Sequence, residues 1–398
     1  MSRNPGGSRN QTGRMIDGEL QQSKRQLAMV FDLNKCLGCH TCSIACKTQW
    51  TGEEGMENMW WTVVNTMPGE GTPKSWESMG GGFDGNHNAN PGRIPLRDEY
   101  GEAWKFNHKE VFEGGKGKNA YLQPESKKGK PDWGANWDED QGAGEYPNSY
   151  YFYLPRICNH CSHPACVEAC PRGAITKREK DGIVLINEKR CKGYRFCMAA
   201  CPYKRIYFNP LKDTSQKCIF CFPRIEKGVA PACARQCPGR MRFVGYLDDE
   251  DGPVHQLVHK YKVALPLHPE YGTDANVFYV PPLSPPKLDI DGKLLEDQPR
   301  IPIEYLRNLF GERVDGVLET LRQEMGKKQR GEKSGLMDSL IVYSWPRDIF
   351  PGFPEDPARL EQVLNKPMAR NIGNGPGAAG VNTLPDDGVL YQEIKLQS

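Results

Sequence analysis

No stretch of this sequence stays apolar for anything near the 18 residues that a membrane-crossing helix needs, so the chain is not expected to span a bilayer. Neither sign of charge dominates. The 52 basic and 50 acidic side chains leave a formal +2, which argues against a nucleic-acid surface and against an acidic tail. Hydrophobic residues make up only 38%, while glycine (42) and proline (32) are abundant, so turns and irregular segments should outweigh any large regular layer. The opening "MSRNPGGSRNQTGRMIDGELQQSKRQ" has no apolar h-region and reads as a mobile arm, not a signal peptide. There is also no Ser–His–acid set, no Gly-rich nucleotide loop and no isolated reactive cysteine, so the chain is expected to transform no organic substrate itself.

What the sequence does have is cysteine, 15 in all, confined between Cys36 and Cys237 and falling into four groups. "CLGCHTCSIAC" carries Cys36, Cys39, Cys42 and Cys46; "CNHCSHPACVEACP" carries Cys158, Cys161, Cys166 and Cys170. "CKGYRFCMAACP" carries Cys191, Cys197 and Cys201, and "CIFCFPRIEKGVAPACARQCP" carries Cys218, Cys221, Cys233 and Cys237. An odd count in a long chain without a secretory signal fits a disulfide framework poorly. Structural zinc is the stronger competitor, but it takes four ligands, usually as two separated pairs. Here three sulfurs crowd one tight loop and a fourth follows on a helix, and Pro171, Pro202 and Pro238 directly follow the last cysteine of three groups. That is the bacterial ferredoxin run for iron–sulfur clusters.

In that run the fourth cysteine ligates the partner run's cluster. The second and third groups are the natural pair, joined by "PRGAITKREKDGIVLINEKR", which reads as a hairpin. The first and fourth groups then pair around them. Four ligand sets follow: Cys36, Cys39, Cys42 and Cys237; Cys46, Cys218, Cys221 and Cys233; Cys158, Cys161, Cys166 and Cys201; and Cys170, Cys191 and Cys197. In the last set Tyr194 stands where a thiolate is due. A free phenol has a pKa of about 10 and offers a hard oxygen, a poor substitute for a thiolate. Three [4Fe–4S] clusters and one [3Fe–4S] cluster, its open corner at Tyr194, are therefore expected. His40, His160 and His163 lie within the groups but have no vacant ligand place to fill, so no metal role is given to them.

The expected fold class is α+β. Two nested, two-cluster ferredoxin-like modules carry a long irregular insertion and a C-terminal helical extension. The divisions are an arm at 1–24, an outer module at 25–57 with 210–250, an insertion at 58–150, an inner module at 151–209, an extension at 251–343 and an extended tail at 344–398. Within the insertion, "WDEDQ" reads as a solvated or interface loop in preference to a metal site. "MRFVGYL" reads as a strand, and "IPIEYLRNLFG" and "ERVDGVLETLRQEMGKKQ" as helices. In the second of these, Val314, Val317, Leu318, Leu321 and Met325 recur on one packing face. The two terminal segments are too polar and too rich in Gly and Pro to fold alone, and are expected to lie against a partner.

Together with the cysteine groups, "AMVFDLNKCLGCHTCSIACK", "FNHKEVF", "WDEDQGAGEYPN", "YLPRICNHC", "YKRIYFNP" and "KVALPLHPEYGT" carry a resemblance from about residue 26 to about 343. The chain resembles the iron–sulfur β subunits of heterotrimeric molybdenum enzymes of the DMSO reductase family. It is most similar to the ethylbenzene dehydrogenase branch, which also includes dimethylsulfide dehydrogenase and the selenate and chlorate reductases. The β subunits of nitrate reductase and nitrite oxidoreductase are related, but the membrane-bound nitrate reductase ones are longer and typically carry Trp where Tyr194 stands. The resemblance implies an electron relay between a molybdenum-containing catalytic α subunit and a haem b γ subunit. The Cys36/Cys237 cluster would face α, and the three-iron cluster would face γ. It also implies a periplasmic location, reached by export of a folded α–β complex, with the cytoplasmic face of the membrane as the runner-up. A free polyferredoxin and a zinc-stabilised interaction module are the competing classes.

Overall fold

The computed structural model describes residues 25–101, 110–111, 113–120 and 142–341. The two terminal segments and "WDEDQ" lie outside the described residues. From the N-terminal side, β1 (Leu27–Asp32) leads into α1 (Thr41–Trp50), and β2 (Val63–Met67) is followed much later by β3 (Phe152–Arg156). Next come α2 (Ala165–Glu168), β4 (Ile175–Lys177), β5 (Val184–Ile186) and α3 (Phe196–Ala200). After β6 (Ile206–Asn209) and β7 (Thr214–Lys217), two single-turn helices follow, α4 (Phe222–Ile225) and α5 (Ala232–Arg235). Then come β8 (Arg242–Tyr246), β9 (Leu265–Pro266), β10 (Val277–Val280), α6 (Ile303–Phe310), α7 (Val314–Gln329) and α8 (Gly335–Ile341). Helix and strand occur together, an α+β protein.

The main sheet has the order β8–β1–β10–β9. Its centre is β1, "LAMVFD", with all six residues buried, as a strand covered on both faces must be. It runs antiparallel to β8 and parallel to β10, with Met29 opposite Val244 on one side and Val277 on the other. The first and fourth cysteine groups thus hang from adjacent strands. The Pro-rich segment that starts at Lys262 contributes β9 and β10. Pro266 is tolerated because β9 is the sheet's edge. The expected hairpin between the second and third groups is present as β4 and β5, with Ile175 opposite Ile186. "MRFVGYL" forms β8, and the two expected helices form α6 and α7. On α7, Val314, Val317, Leu318 and Leu321 are buried as the spacing predicts, but Met325 is 37% exposed. The helix outruns the core it packs on, so its last turn faces solvent.

The described part of the insertion lies over this frame. β2 pairs with β3, and Trp60, Trp61, Trp76 and Phe83 are buried. Arg156 fastens it. The guanidinium is buried 3.5 Å above the Trp76 ring, and its Nη2 donates to Tyr203 O at 2.8 Å. A second fastening is His268, held between the Glu77 carboxylate on Nε2 (2.9 Å) and the Glu270 carboxylate on Nδ1 (2.7 Å), and stacked on Tyr271. Burial pulls its pKa down, but the two carboxylates outweigh burial and the net direction is up.

A raised histidine contributes stability that is complete below its unfolded pKa and fades as pH rises through the folded value. Glu77→Gln is therefore expected to lower stability at about pH 6, by on the order of 1 kcal/mol for a partly exposed carboxylate, and by much less at about pH 9. Melting curves of both proteins at the two pH values test this. An equal difference at both would show that His268 is not charged in the fold.

Candidate iron–sulfur sites

The cysteine loops have a shared backbone that explains how they gather sulfur. In the first group Gly38 (φ 64°) and His40 (φ 55°) are both left-handed, flanking Cys39; in the third, Gly193 (φ 63°) and Arg195 (φ 61°) are both left-handed, flanking Tyr194. Tyr194 thus occupies the same backbone place as Cys39. Glycine is needed at both first positions. A Cβ on Gly38 would stand 2.5 Å from the Tyr153 ring, and one on Gly193 would stand 2.6 Å from Asp213 Oδ1. α1 and α3 then begin at once and carry Cys42 and Cys46, and Cys197, into the interior.

Three cavities result. One of about 320 Å³ is lined by Cys36, Cys39, Cys42 and Cys237, with Leu37 and Arg242. A second, about 300 Å³, is lined by Cys46, Cys218, Cys221 and Cys233, with Trp50 and Trp61. A third, about 340 Å³, is lined by Cys170, Cys191 and Cys197, with Tyr194, Phe196 and Ser215. Cys158 lies close enough to act on the thiols of Cys161, Cys166 and Cys201, and Cys201 and Cys158 are the thiols acting most strongly on Cys166. The structure therefore brings together the residues of each expected set, including the crossed fourth cysteines Cys46, Cys170, Cys201 and Cys237.

The sets also adjoin in a row. Cys42 acts on Cys233, Cys158 on Cys218, and Cys201 on Cys197, which links the first set to the second, the second to the third and the third to the fourth. Leu37, 64% exposed, marks one end of the row, and Tyr194 and Phe196, 55% and 57% exposed, mark the other.

The donor chemistry fits a cluster better than a single ion. A tetrahedral zinc needs four sulfurs about 2.3 Å from one point. Among the described residues no three His, Cys, Asp or Glu side chains converge closely enough to hold one metal ion. Instead, thiols ring spaces and N–H groups point at sulfur. Trp50 Nε1–H donates to Cys221 Sγ at 3.1 Å, Ala174 N–H to Cys170 Sγ at 3.3 Å, and Phe220 N–H to Cys218 Sγ at 3.4 Å. The Trp61 indole N–H lines the second cavity's walls without a protein acceptor.

Burial pushes the thiols up, Cys36, Cys161 and Cys233 to about 12 and Cys197 to about 11, so these sulfurs become thiolates only when a cation takes the proton's place. His160 Nδ1 accepts from Val184 N–H at 3.1 Å, and His163 is engaged by Glu168 and by Gly272 O. Trp50, Trp61 and Arg242 were not singled out from sequence. Trp50 had a usable signal, since it stands one helical turn after Cys46; Arg242, five residues past Cys237, had none.

Comparison with known proteins agrees with this geometry. Residues 149–247 match the 4Fe-4S dicluster domain family. The chain is 57% identical to the dimethylsulfide dehydrogenase subunit beta of Rhodovulum sulfidophilum, over 81% of this chain and 98% of that one. It is 57% identical to the selenate reductase subunit beta of Thauera selenatis, over the same shares. It is 56% identical to the respiratory nitrate reductase subunit beta of Haloferax mediterranei, over 79% of this chain and 90% of that one.

Proposed function

The chain belongs to the iron–sulfur β subunits of the DMSO reductase family of molybdenum enzymes, and from that premise we propose how its cysteines are used and what it joins. It is an iron–sulfur electron-transfer subunit of a molybdenum oxidoreductase. The fold is two nested ferredoxin-like modules. Cys36, Cys39, Cys42 and Cys237 hold one [4Fe–4S] cluster; Cys46, Cys218, Cys221 and Cys233 a second; and Cys158, Cys161, Cys166 and Cys201 a third. Cys170, Cys191 and Cys197 hold a [3Fe–4S] cluster whose open corner is at Tyr194. Bound there, the clusters would supply one-electron redox chemistry. The chain's own part is to hold them in a row, keep them dry and turn N–H groups toward their sulfurs.

The observation carrying this reading is the division of the 15 cysteines into four adjoining sets. The exposed end near Leu37 is the docking side for the molybdenum catalytic subunit, and the end near Tyr194 and Phe196 is the side for a haem b subunit. The three relatives, alike in identity, are named for different substrates, so the substrate is a property of the catalytic partner. An ethylbenzene-dehydrogenase-like hydrocarbon oxidation or a related oxyanion reduction fits best. No helix among the described residues is long and apolar enough to cross a membrane. The assembled α–β pair is exported folded to the periplasm on a twin-arginine signal carried by α.

Anaerobic purification of the tagged chain from its source tests both parts. A brown complex containing a large molybdenum-bearing subunit is the expected result. A brown chain alone would favour a free polyferredoxin, and a colourless zinc protein an interaction module. Deleting the α signal should keep the chain out of the periplasm; its continued appearance there would defeat the export proposal.

A further inference from the structure

Arg242 opens β8 directly after the loop that carries Cys237. Its residue is 2% exposed, and none of its three guanidinium nitrogens makes a hydrogen bond of ordinary geometry to the protein. Below it is the Phe31 ring, 4.3 Å from Cζ and directly opposite in the β1–β8 register. Burying a guanidinium is costly unless anions face it. Two other buried cations are served by carbonyl groups. Lys177 Nζ donates to the Gly182, Cys161 and His160 carbonyls and to Gln26, and Lys217 Nζ donates to the Val184 and Cys218 carbonyls.

The groups acting most strongly on Arg242 are all cysteines: Cys42, Cys233, Cys237 and Cys36. Three of them belong to the first ligand set, whose cavity Arg242 lines, and Cys233 belongs to the second and stands beside the guanidinium. Arg242 lies where these two sets meet.

We propose that Arg242 is a shared counter-charge for the first two clusters, a positioning residue that raises the reduction potentials of both together. This rests on the ligand sets assigned above. A fixed positive charge favours the more negative, reduced state of any group beside it. Because one guanidinium faces both sets, the two potentials are tied to a single side chain, while the third and fourth sets lie further along the row.

The test is a redox titration of the α–β complex, followed by electron paramagnetic resonance, for wild type, Arg242→Met and Arg242→Lys. Cys237→Ser and Cys233→Ser identify which signals belong to the first and second sets. Arg242→Met is expected to keep the iron per chain and to shift the oxidised-to-reduced ratio of both identified clusters at least tenfold toward oxidised at a given potential. That corresponds to about 59 mV for a one-electron couple. The other two clusters should move far less, and Arg242→Lys, which restores the charge, should return most of the shift. If Arg242→Met loses iron, the lysine variant and Arg242→Gln decide by the same measurement. Unchanged potentials with iron retained, or equal shifts in all four clusters, would overturn the proposal. Failure of Cys237→Ser and Cys233→Ser to remove one cluster each would instead overturn the ligand sets.

Discussion

Tyr194→Cys is expected to convert the proposed three-iron cluster into a four-iron one. The variant should gain iron per chain and lose the near-isotropic resonance signal that a three-iron cluster gives when oxidised. Signals of the other three clusters should be unchanged. The reason is geometric as well as chemical. Tyr194 is flanked by left-handed Gly193 and Arg195 just as Cys39 is flanked by left-handed Gly38 and His40. A thiol at position 194 would therefore start from the same backbone place that Cys39 holds beside its own set, and the ferredoxin run supplies its fourth iron corner from there. Transfer to the proposed haem partner should slow, because a four-iron cluster at this end would titrate at a lower potential than the three-iron cluster it replaces. Iron analysis and resonance spectra of the oxidised proteins decide the matter. Wild type silent when oxidised, with a variant of unchanged iron, would mean that Tyr194 packs beside a complete four-iron cluster.

The second large effect is expected from Cys201→Ser. By sequence Cys201 belongs with Cys191 and Cys197, and a simple grouping would assign it to their cluster. In the fold the thiol acting most strongly on it is Cys158, and it stands among Cys161 and Cys166 as well. The cavity that holds Cys191 and Cys197 is lined instead by Cys170. Removing the Cys201 sulfur should delete or cripple one [4Fe–4S] cluster and leave the oxidised three-iron signal in place. Loss of the three-iron signal with all the four-iron signals retained would show that the ligand sets are not crossed. Because the third set sits between the second and fourth in the row, electron delivery to the proposed γ side should fall steeply in this variant even though both ends are intact.

Much of this was legible in the sequence because it is local. The ferredoxin spacing fixes which sulfurs share a loop, and the following proline and short helix fix which sulfur leaves it. The hairpin between the second and third groups was visible from its turn and its flanking apolar runs. The buried stripe of α7 was visible from helical spacing, as far as Leu321. Met325 obeys the same period and is still exposed, since a period says which residues share a face and not how long the partner surface is.

What the tertiary structure decided is everything set by pairing between distant segments. Nothing local says that Val277–Val280 lies parallel to β1, because a four-residue strand in a Pro-rich stretch carries no period to read. The covering of the cores by Trp60, Trp61 and Trp76 is of the same kind, as is the donation from Trp50 to Cys221, which lies 171 residues away. Arg242 is the clearest case. In sequence it is the polar residue at the head of a strand, and only the register of β8 against β1 brings its charge between two sets of thiols. The sequence by itself determined which sulfurs share a loop and which leave it, since residue identity and loop spacing are chemical and short-range. The order of the sets and the charges between them depend on long-range packing and burial, which only the folded chain establishes.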